Sequence, residues 1–395
     1  MKLGIIGLGQ AGGKVLDTLL EYESRAPNEI VVGALAVNSA QQDLMGLKHV
    51  REEHQILIGQ SRVKGHGVGA DNELGASIAE EDSGEVLSGL ESFPLHKVDA
   101  FLLIAGLGGG TGSGSAPVIA RKIKQIYSEP VYGLGILPAD DEGGIYTLNA
   151  ARSFQTFIAE ADNVMLVDND SFRGSGNSVS EGYSNINNQI AERFGTLFSA
   201  GEIIPGQNVA ESVVDASEII NTLGSGGVST LGYAKSPVEV AEKSSGLLSM
   251  FKSNESPSPD TAESINRITS LTRQATLGQL TLPVDVGSAE RALVIISGPP
   301  EHLSRKGIEA SRRWLEDEAH TMEVRGGDFP IEGASEVSCT VLLSGTAKVP
   351  RIKKLQQVAI ETSQNIDELR KNHDASLESL VNTADDSENN LEPLF

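Results

Sequence analysis

Apolar positions follow two different periods along this chain. Residues 2–8 form a short, nearly continuous apolar run ending beside glycine. After it Val15, Leu16, Leu19 and Leu20 recur at helical spacing, which predicts strand, tight turn, helix. Residues 30–37 and 99–105 are further short apolar runs bounded by polar or glycine-rich residues, and 131–137 and 164–167 continue the alternation. Strands alternating with helical patterns predict parallel βαβ units and a doubly wound, Rossmann-like α/β domain of at least five strands over about 180 residues.

Ile186, Ile190, Phe194, Leu197 and Phe198 then fall on one helical stripe, predicting a long helix over 184–199 that leaves the first domain. A second α/β region follows, with strands at 292–297 and 338–344 and helices at 303–318 and 353–370. Residues 251–264 hold two prolines, several serines and two carboxylates, and read as a loop. From about residue 374 the chain turns polar and acidic, which predicts a disordered tail.

The length of 395 residues allows two or three domains. The balance of 31 basic against 54 acidic residues, a formal charge of −23, argues against gripping nucleic acid or an anionic membrane surface. It fits a hydrated surface in a salt-rich cytoplasm. The single cysteine, Cys339, lies in an apolar stretch; it excludes an internal disulfide and a cysteine-built zinc site, and is expected to be a small buried hydrophobe. The chain opens on an apolar strand without a signal-peptide pattern, and no apolar run approaches the roughly 20 residues that span a bilayer. A soluble, cytoplasmic protein is expected.

Two glycine loops carry the candidate chemistry. Gly7-Leu8-Gly9-Gln10-Ala11-Gly12 fits G-x-G-x-x-G after a strand, a weak dinucleotide signal. A carboxylate for ribose hydroxyls is missing where the second strand ends, Val37-Asn38-Ser39, so close helix–strand packing explains the loop equally well. The second loop, Gly106-Leu107-Gly108-Gly109-Gly110-Thr111-Gly112-Ser113-Gly114, has six glycines in nine residues between a strand and a helical pattern. Backbone N–H groups there can approach an anion, the helix start adds partial positive charge, and Thr111 and Ser113 offer hydroxyl donors. This is no Walker A loop, since Gly13-Lys14 is followed by Val15.

The run Gly108-Gly109-Gly110-Thr111-Gly112-Ser113-Gly114 resembles the G-G-G-T-G-S-G signature of the tubulin/FtsZ superfamily of GTPases. Other segments agree in family order over residues 1–220. Gly9-Gln10-Ala11-Gly12, continuing into Gly13 and Lys14, resembles the first nucleotide loop, and Asn38-Ser39-Ala40-Gln41-Gln42 the second. Ala70-Asp71-Asn72-Glu73-Leu74-Gly75 resembles the loop that faces the terminal phosphate. Pro138, Glu142 and Gly143 match P-F-x-F-E-G; Val167-Asp168-Asn169 resembles V-D-N, and Tyr183-Ser184-Asn185-Ile186-Asn187 the start of the tubulin central helix. Val214-Asp215-Ala216-Ser217-Glu218 resembles the catalytic loop. The mixture of FtsZ-like and tubulin-like features is most similar to the archaeal CetZ group, and the acidic composition suits a haloarchaeal member.

The resemblance implies a GTP-binding domain over 1–182, a central helix over 183–203, a smaller C-terminal α/β domain over 204–370 with the catalytic loop near its start, and an acidic tail over 371–395. It implies that GTP or GDP with Mg²⁺ is held by Gln10, Ala11, Gly12, Gly13, Lys14, Asn38, Ala70, Asp71, Asn72, Gly106, Gly108, Gly109, Gly110, Thr111 and Gly112. Tyr183 would stack on the base, Asn169 and Asn187 would bond its edge, and Glu142 would accept from the ribose. Asp215 and Glu218, three apart and so on one helical face, would orient the attacking water for the nucleotide of the next subunit in a head-to-tail homopolymer. No protein ligand for Mg²⁺ is implied. Two departures stand out: Tyr146 replaces an arginine usual in FtsZ, and Asp71-Asn72 stands in place of Asn-Pro. The C-terminal Leu391-Glu392-Pro393-Leu394-Phe395 is not equated with the FtsZ tail peptide, and a membrane-associated adaptor is left open.

The reading is a GTP-hydrolysing cytoskeletal protein serving cell shape. Its rivals are an NAD-dependent oxidoreductase, which leaves the second glycine loop unexplained, and a GTP-binding family member that has lost turnover and regulates filaments.

Overall fold

The computed structural model describes residues 1–26, 28–172, 179–202, 214–238, 261–320 and 323–382. In chain order the elements are β1 (Leu3–Leu8), α1 (Gly9–Glu23), β2 (Val31–Asn38), α2 (Gln41–Met45), β3 (Gln55–Leu57), α3 (Gln60–Val63), α4 (Asn72–Glu81), α5 (Ser83–Leu90), β4 (Ala100–Gly106), α6 (Thr111–Lys124), β5 (Val131–Leu137), α7 (Gly144–Glu160), β6 (Asn163–Asp168), α8 (Val179–Ser199), α9 (Ala216–Leu223), β7 (Val228–Pro237), α10 (Ala262–Gly278), β8 (Arg291–Gly298), α11 (Arg305–Ala319), β9 (Glu323–Pro330), β10 (Glu336–Ser344) and α12 (Pro350–Asn382).

The strands run in the order β3-β2-β1-β4-β5-β6-β7-β10-β8-β9. The first six are parallel and doubly wound, so the crevice at the carboxyl ends of β1 and β4, where the order reverses, is the place a ligand is expected. Their continuous apolar runs follow from burial on both faces. In β4, Leu102 and Ile104 face one core with α1 and α8, while Phe101, Leu103 and Ala105 face the other. The predicted stripe Ile186, Ile190, Phe194, Leu197 and Phe198 is buried in the first core.

β7 joins this sheet to the next through only two residue pairs, Val164↔Val228 and Met165↔Ser229. Beyond it β10 is antiparallel to β7 and β8, and β9 is parallel to β8. The core beneath α8 continues into this half through Leu231, Leu293, Ile295 and Leu342, so α8 is packed by both halves. Cys339 is fully buried in β10, and burial pushes its thiol up to about 12.

Three boundaries need correction. The central helix starts earlier than residue 183, at Val179. The loop expected over 251–264 ends sooner: Thr261 caps α10, accepting from the Ser264 amide at 3.2 Å, and 262–264 are helical. Residues 251–260 lie outside the described residues, as do 203–213. The tail expected from 371 is helical as far as Asn382. No glycine or proline follows Pro350 in that stretch, so nothing local stops the helix, and proline at its first position favours its start. Residues 383–395 lie outside the described residues.

Candidate nucleotide site

The chain leaves β1 and β4 through the two glycine loops, and both enter helices without a side-chain cap. Leu8 precedes α1 and Gly110 precedes α6, and neither helix has an acidic residue in its first turn. Several other helices are capped, α4 by Asp71, α9 by Asp215 and α11 by Ser304. Uncapped N–H groups with a partial positive charge are an anion site in waiting. The loops touch: Gly9 has φ +69°, and a Cβ there would lie 2.7 Å from the Gly112 nitrogen. Gly12 backs onto β4, where a Cβ would stand 2.0 Å from the Ile104 carbonyl oxygen.

Both loops open into a cavity of about 640 Å³. Gln10, Ala11, Lys14, Asn38, Ala70, Gly106, Gly109, Gly110, Thr111, Gly112, Glu142, Asn169, Tyr183 and Asn187 all line it. Lys14 is exposed and has no ion-pair partner among the described residues.

The other expected contacts stand behind the wall. Gly12 and Gly13 pack against β4 and Leu47, and Gly108 sits beneath Pro138 and Tyr146. Asp71 does not face the cavity: its carboxylate accepts from the Leu74 amide at 2.9 Å, as an N-cap. Asn72 is buried on the far side of the loop, in a smaller cavity with Ser113 and Gly114. The Ser113 hydroxyl also turns away. It donates back to the Gly109 and Gly110 carbonyls, the local bonding that serine prefers within a helix. Thr111 exchanges a 2.7 Å bond with Ser39, tying the loop after β2 to the glycine loop after β4.

Residues the sequence reading passed over complete the wall. Asp43 accepts from Gln10 at 2.9 Å and Asn38 at 3.1 Å, joining α1, β2 and α2. Ala70 has φ +63°, uncommon for a residue with a Cβ, and the buried Asn149 holds it there by donating to its carbonyl at 2.7 Å and to Gly108 at 3.1 Å. His66, Gly67, Val68 and Gly69 also line the cavity, brought there by tertiary folding. Tyr146, the departure from the FtsZ pattern visible in the sequence, lines it as well.

Glu142 organises the opposite wall. One of its oxygens accepts from the Ala139 amide at 2.9 Å, from Tyr183 at 3.1 Å and from Asn169 at 3.4 Å. A flat phenol ring, two amide side chains and a carboxylate thus share one side, a set suited to a base and its sugar.

Asp215 and Glu218 are not in this wall. Their helix α9 is tied to the start of β6, where Asn163 donates to the Leu223 carbonyl at 3.0 Å, whereas Asn169 follows the other end of that strand. A single molecule therefore does not bring these acids to its own cavity. Nor do both lie on the helix: Asp215 is its cap, accepting from the Glu218 amide at 3.1 Å and the Ser217 hydroxyl at 2.5 Å. The Ser217 bond above all holds the Asp215 carboxyl below its ordinary range. Burial pushes the Glu218 carboxyl up, opposed by Arg325 at 3.9 Å and assisted by the Asp215 charge.

This pair gives a prediction for the isolated chain. By carboxyl NMR titration, Glu218 titrates above about 4.3 and Asp215 below about 3.9, the ordinary values. A folded value raised for Glu218 means that its protonated form favours the fold and that its contribution is lost as pH rises. Glu218→Gln is therefore expected to be at least as stable as the parent at neutral pH. Glu218 titrating at or below its ordinary value would contradict the packing described.

Comparison with known proteins identifies the family. A model of the tubulin/FtsZ family GTPase domain matches residues 2–177, and a model of the tubulin-like CetZ C-terminal domain matches residues 176–361. The chain is 61% identical over 373 residues to the tubulin-like protein CetZ1 of Haloferax volcanii, spanning 94% of each. A GDP-bound monomer of CetZ1 from that organism superposes with a TM-score of 0.81 at 57% identity, covering 92% of this chain and 100% of that one. A GTPγS-bound protofilament of CetZ2, also from Haloferax volcanii, gives 0.81 at 44% identity, covering 93% and 100%. The oxidoreductase alternative falls with these matches. The chain belongs to the tubulin/FtsZ family of GTPases, within its tubulin-like CetZ group.

Proposed function

We propose that this chain binds GTP in the cavity between the glycine loops and Tyr183, polymerises head to tail, and hydrolyses the nucleotide only where the next subunit supplies Asp215 and Glu218. The observation that carries this reading is the separation of the two halves of the chemistry. The phosphate cradle lies at the carboxyl ends of β1 and β4, and the acids lie at the opposite end of β6. A contact between unlike ends repeats without closing, which makes a filament.

In such a junction the amides that start α1 and α6 hold the phosphate oxygens and stabilise charge as the terminal phosphoryl leaves. Lys14 adds a cation at the same place. Glu218, with a carboxyl more basic than usual, accepts the proton of the attacking water, and Asp215 fixes the backbone that presents it. Glu142, Asn169, Tyr183 and Asn187 take the nucleoside. Mg²⁺ supplies charge neutralisation at the triphosphate. Such an ion is held largely by phosphate oxygens and water rather than by a protein cage.

Among the described residues no helix is long and apolar enough to cross a membrane. A cytoplasmic filament that controls cell shape, with an adaptor where it meets the membrane, is the role we assign from the CetZ kinship. The direct test is sedimentation in high potassium chloride with Mg²⁺. Polymer is expected with GTP and little with GDP. Polymer indifferent to nucleotide would overturn the reading, and tight GTP binding without polymer would favour a regulator that has lost turnover.

A further inference from the structure

The nucleoside side of the cavity is fastened from an unexpected place. α12 opens at Pro350, and the next side chain, Arg351, is only 11% exposed. Its guanidinium lies among three carboxylates from two loops. Nε stands 3.1 Å from Asp168 and Nη2 3.5 Å from Asp170, both after or at the end of β6, and Nη1 pairs with Asp140 in the β5–α7 loop. Nη2 also donates to the Pro138 carbonyl at 2.6 Å. Lys354, one turn along α12, pairs with Asp140 as well. The two loops also meet directly, where the Asp140 amide donates to Asp170 at 3.0 Å and Asn169 to Glu142 at 3.4 Å.

These partners interleave with the cavity wall. Asp168 and Asp170 flank Asn169, and Asp140 lies midway between Pro138 and Glu142. Three carboxylates so close repel one another unless a cation sits between them. A planar guanidinium holds several at once in a fixed fork of five N–H donors, whereas an ammonium is a point charge with three rotatable donors and sets no such geometry. Removing it would splay the loops and move Asn169 and Glu142 together. Its partners Asp140, Asp168, Asp170 and Pro138 belong to the loops after β5 and β6, whereas the phosphate cradle is built on α1 and α6.

We propose that Arg351 is a positioning residue for the nucleoside half of the site, and that seating of the first turn of α12 is linked to guanine-nucleotide occupancy. This rests on the GTP-binding reading above. The linkage is reciprocal: occupancy that tightens Glu142 and Asn169 also tightens α12, and a loose α12 weakens binding.

The test separates the two halves of the ligand. GDP, guanosine and inorganic tripolyphosphate are titrated into the parent, Arg351→Ala and Arg351→Lys. For Arg351→Ala, GDP and guanosine affinity are expected to fall by about 5- to 150-fold, the usual range of coupling between sites, with tripolyphosphate little changed. Arg351→Lys, which keeps the charge and loses the fork, is expected to fall between. In the parent, GDP should slow hydrogen exchange across the first turns of α12, and in Arg351→Ala that protection should shrink. Unchanged GDP affinity in Arg351→Ala overturns the proposal, and so does an equal loss for tripolyphosphate, which would mean general loosening. If Arg351→Ala fails to fold, Asp170→Asn in a folded chain reads the same clamp from the other side, and the same two outcomes decide. A parent that binds no guanine nucleotide would instead sink the GTP-binding reading.

Discussion

Glu218→Ala is expected to lower GTP turnover by about 10²- to 10⁴-fold, the contribution of a positioned general base, while leaving GTP affinity nearly unchanged. The two effects separate because α9 hangs on the start of β6 and the cavity opens at its other end. Removing the carboxylate takes nothing from the molecule's own cradle. On the reading proposed above, it removes the water-orienting group that the molecule lends to its neighbour. Folding should survive, since Glu218 is only half-buried and its charge already opposes burial. Arg325 loses one partner but keeps Glu323 at 2.6 Å. Binding measured by a fluorescent guanine nucleotide, and turnover by phosphate release, are the paired readouts. Loss of both together would mean that the acids belong to a complete site within one chain.

Gly9→Val is expected to do the opposite and remove binding itself. A β-branched residue at φ +69° is strongly disfavoured, and its Cβ would stand 2.7 Å from the Gly112 nitrogen and 3.0 Å from the Gly112 Cα. Relief requires the two glycine loops to part, which misaligns the amides at both helix starts. Charged hydrogen bonds are worth about 1.5–3 kcal/mol each, so losing two weakens GTP by about 100-fold or more. The backbone strain costs about 1–3 kcal/mol of stability, and helix α1 remains anchored by Val15, Leu16 and Leu19 in the core. Circular dichroism checks the fold and isothermal titration the affinity. A variant that binds GTP within threefold of the parent would contradict the cradle described here.

What was legible in the sequence follows the physics of each feature. The parallel strands declare themselves because burial on both faces demands continuous apolar runs. The α8 stripe, Ile186 to Phe198, does so because that face of the helix is buried in one core shared by both halves. The glycine loops are visible because side chains are missing where backbones must meet, as at Gly9 and Gly112.

What stayed hidden depends on contacts far apart in sequence or on competing local chemistry. Ser113 has a hydroxyl suited to a phosphate contact and Asp71 a place that the resemblance assigns to the site, but each finds a partner close by in sequence. Asp215 likewise serves as a cap, the bland role that its position before α9 allows. Asp43 and Asn149 reach the cavity through hydrogen bonds to other elements, for which no spacing rule exists. Arg351 meets Asp140 and Pro138 across more than 200 residues. The length of α12 is hidden because its acidic composition points to disorder, while the lack of a breaker before Asn382 lets the helix run on.

The central claim is that each GTP site is completed by a second molecule. It is tested most directly by the GTPase rate per molecule as protein concentration is raised, with Mg²⁺ and high potassium chloride. The account predicts a specific rate that climbs with concentration, levels off once most chains are in filaments, and vanishes in Glu218→Ala. A specific rate that stays constant from dilute to concentrated protein would contradict it, because a lone chain would then hold everything that hydrolysis needs.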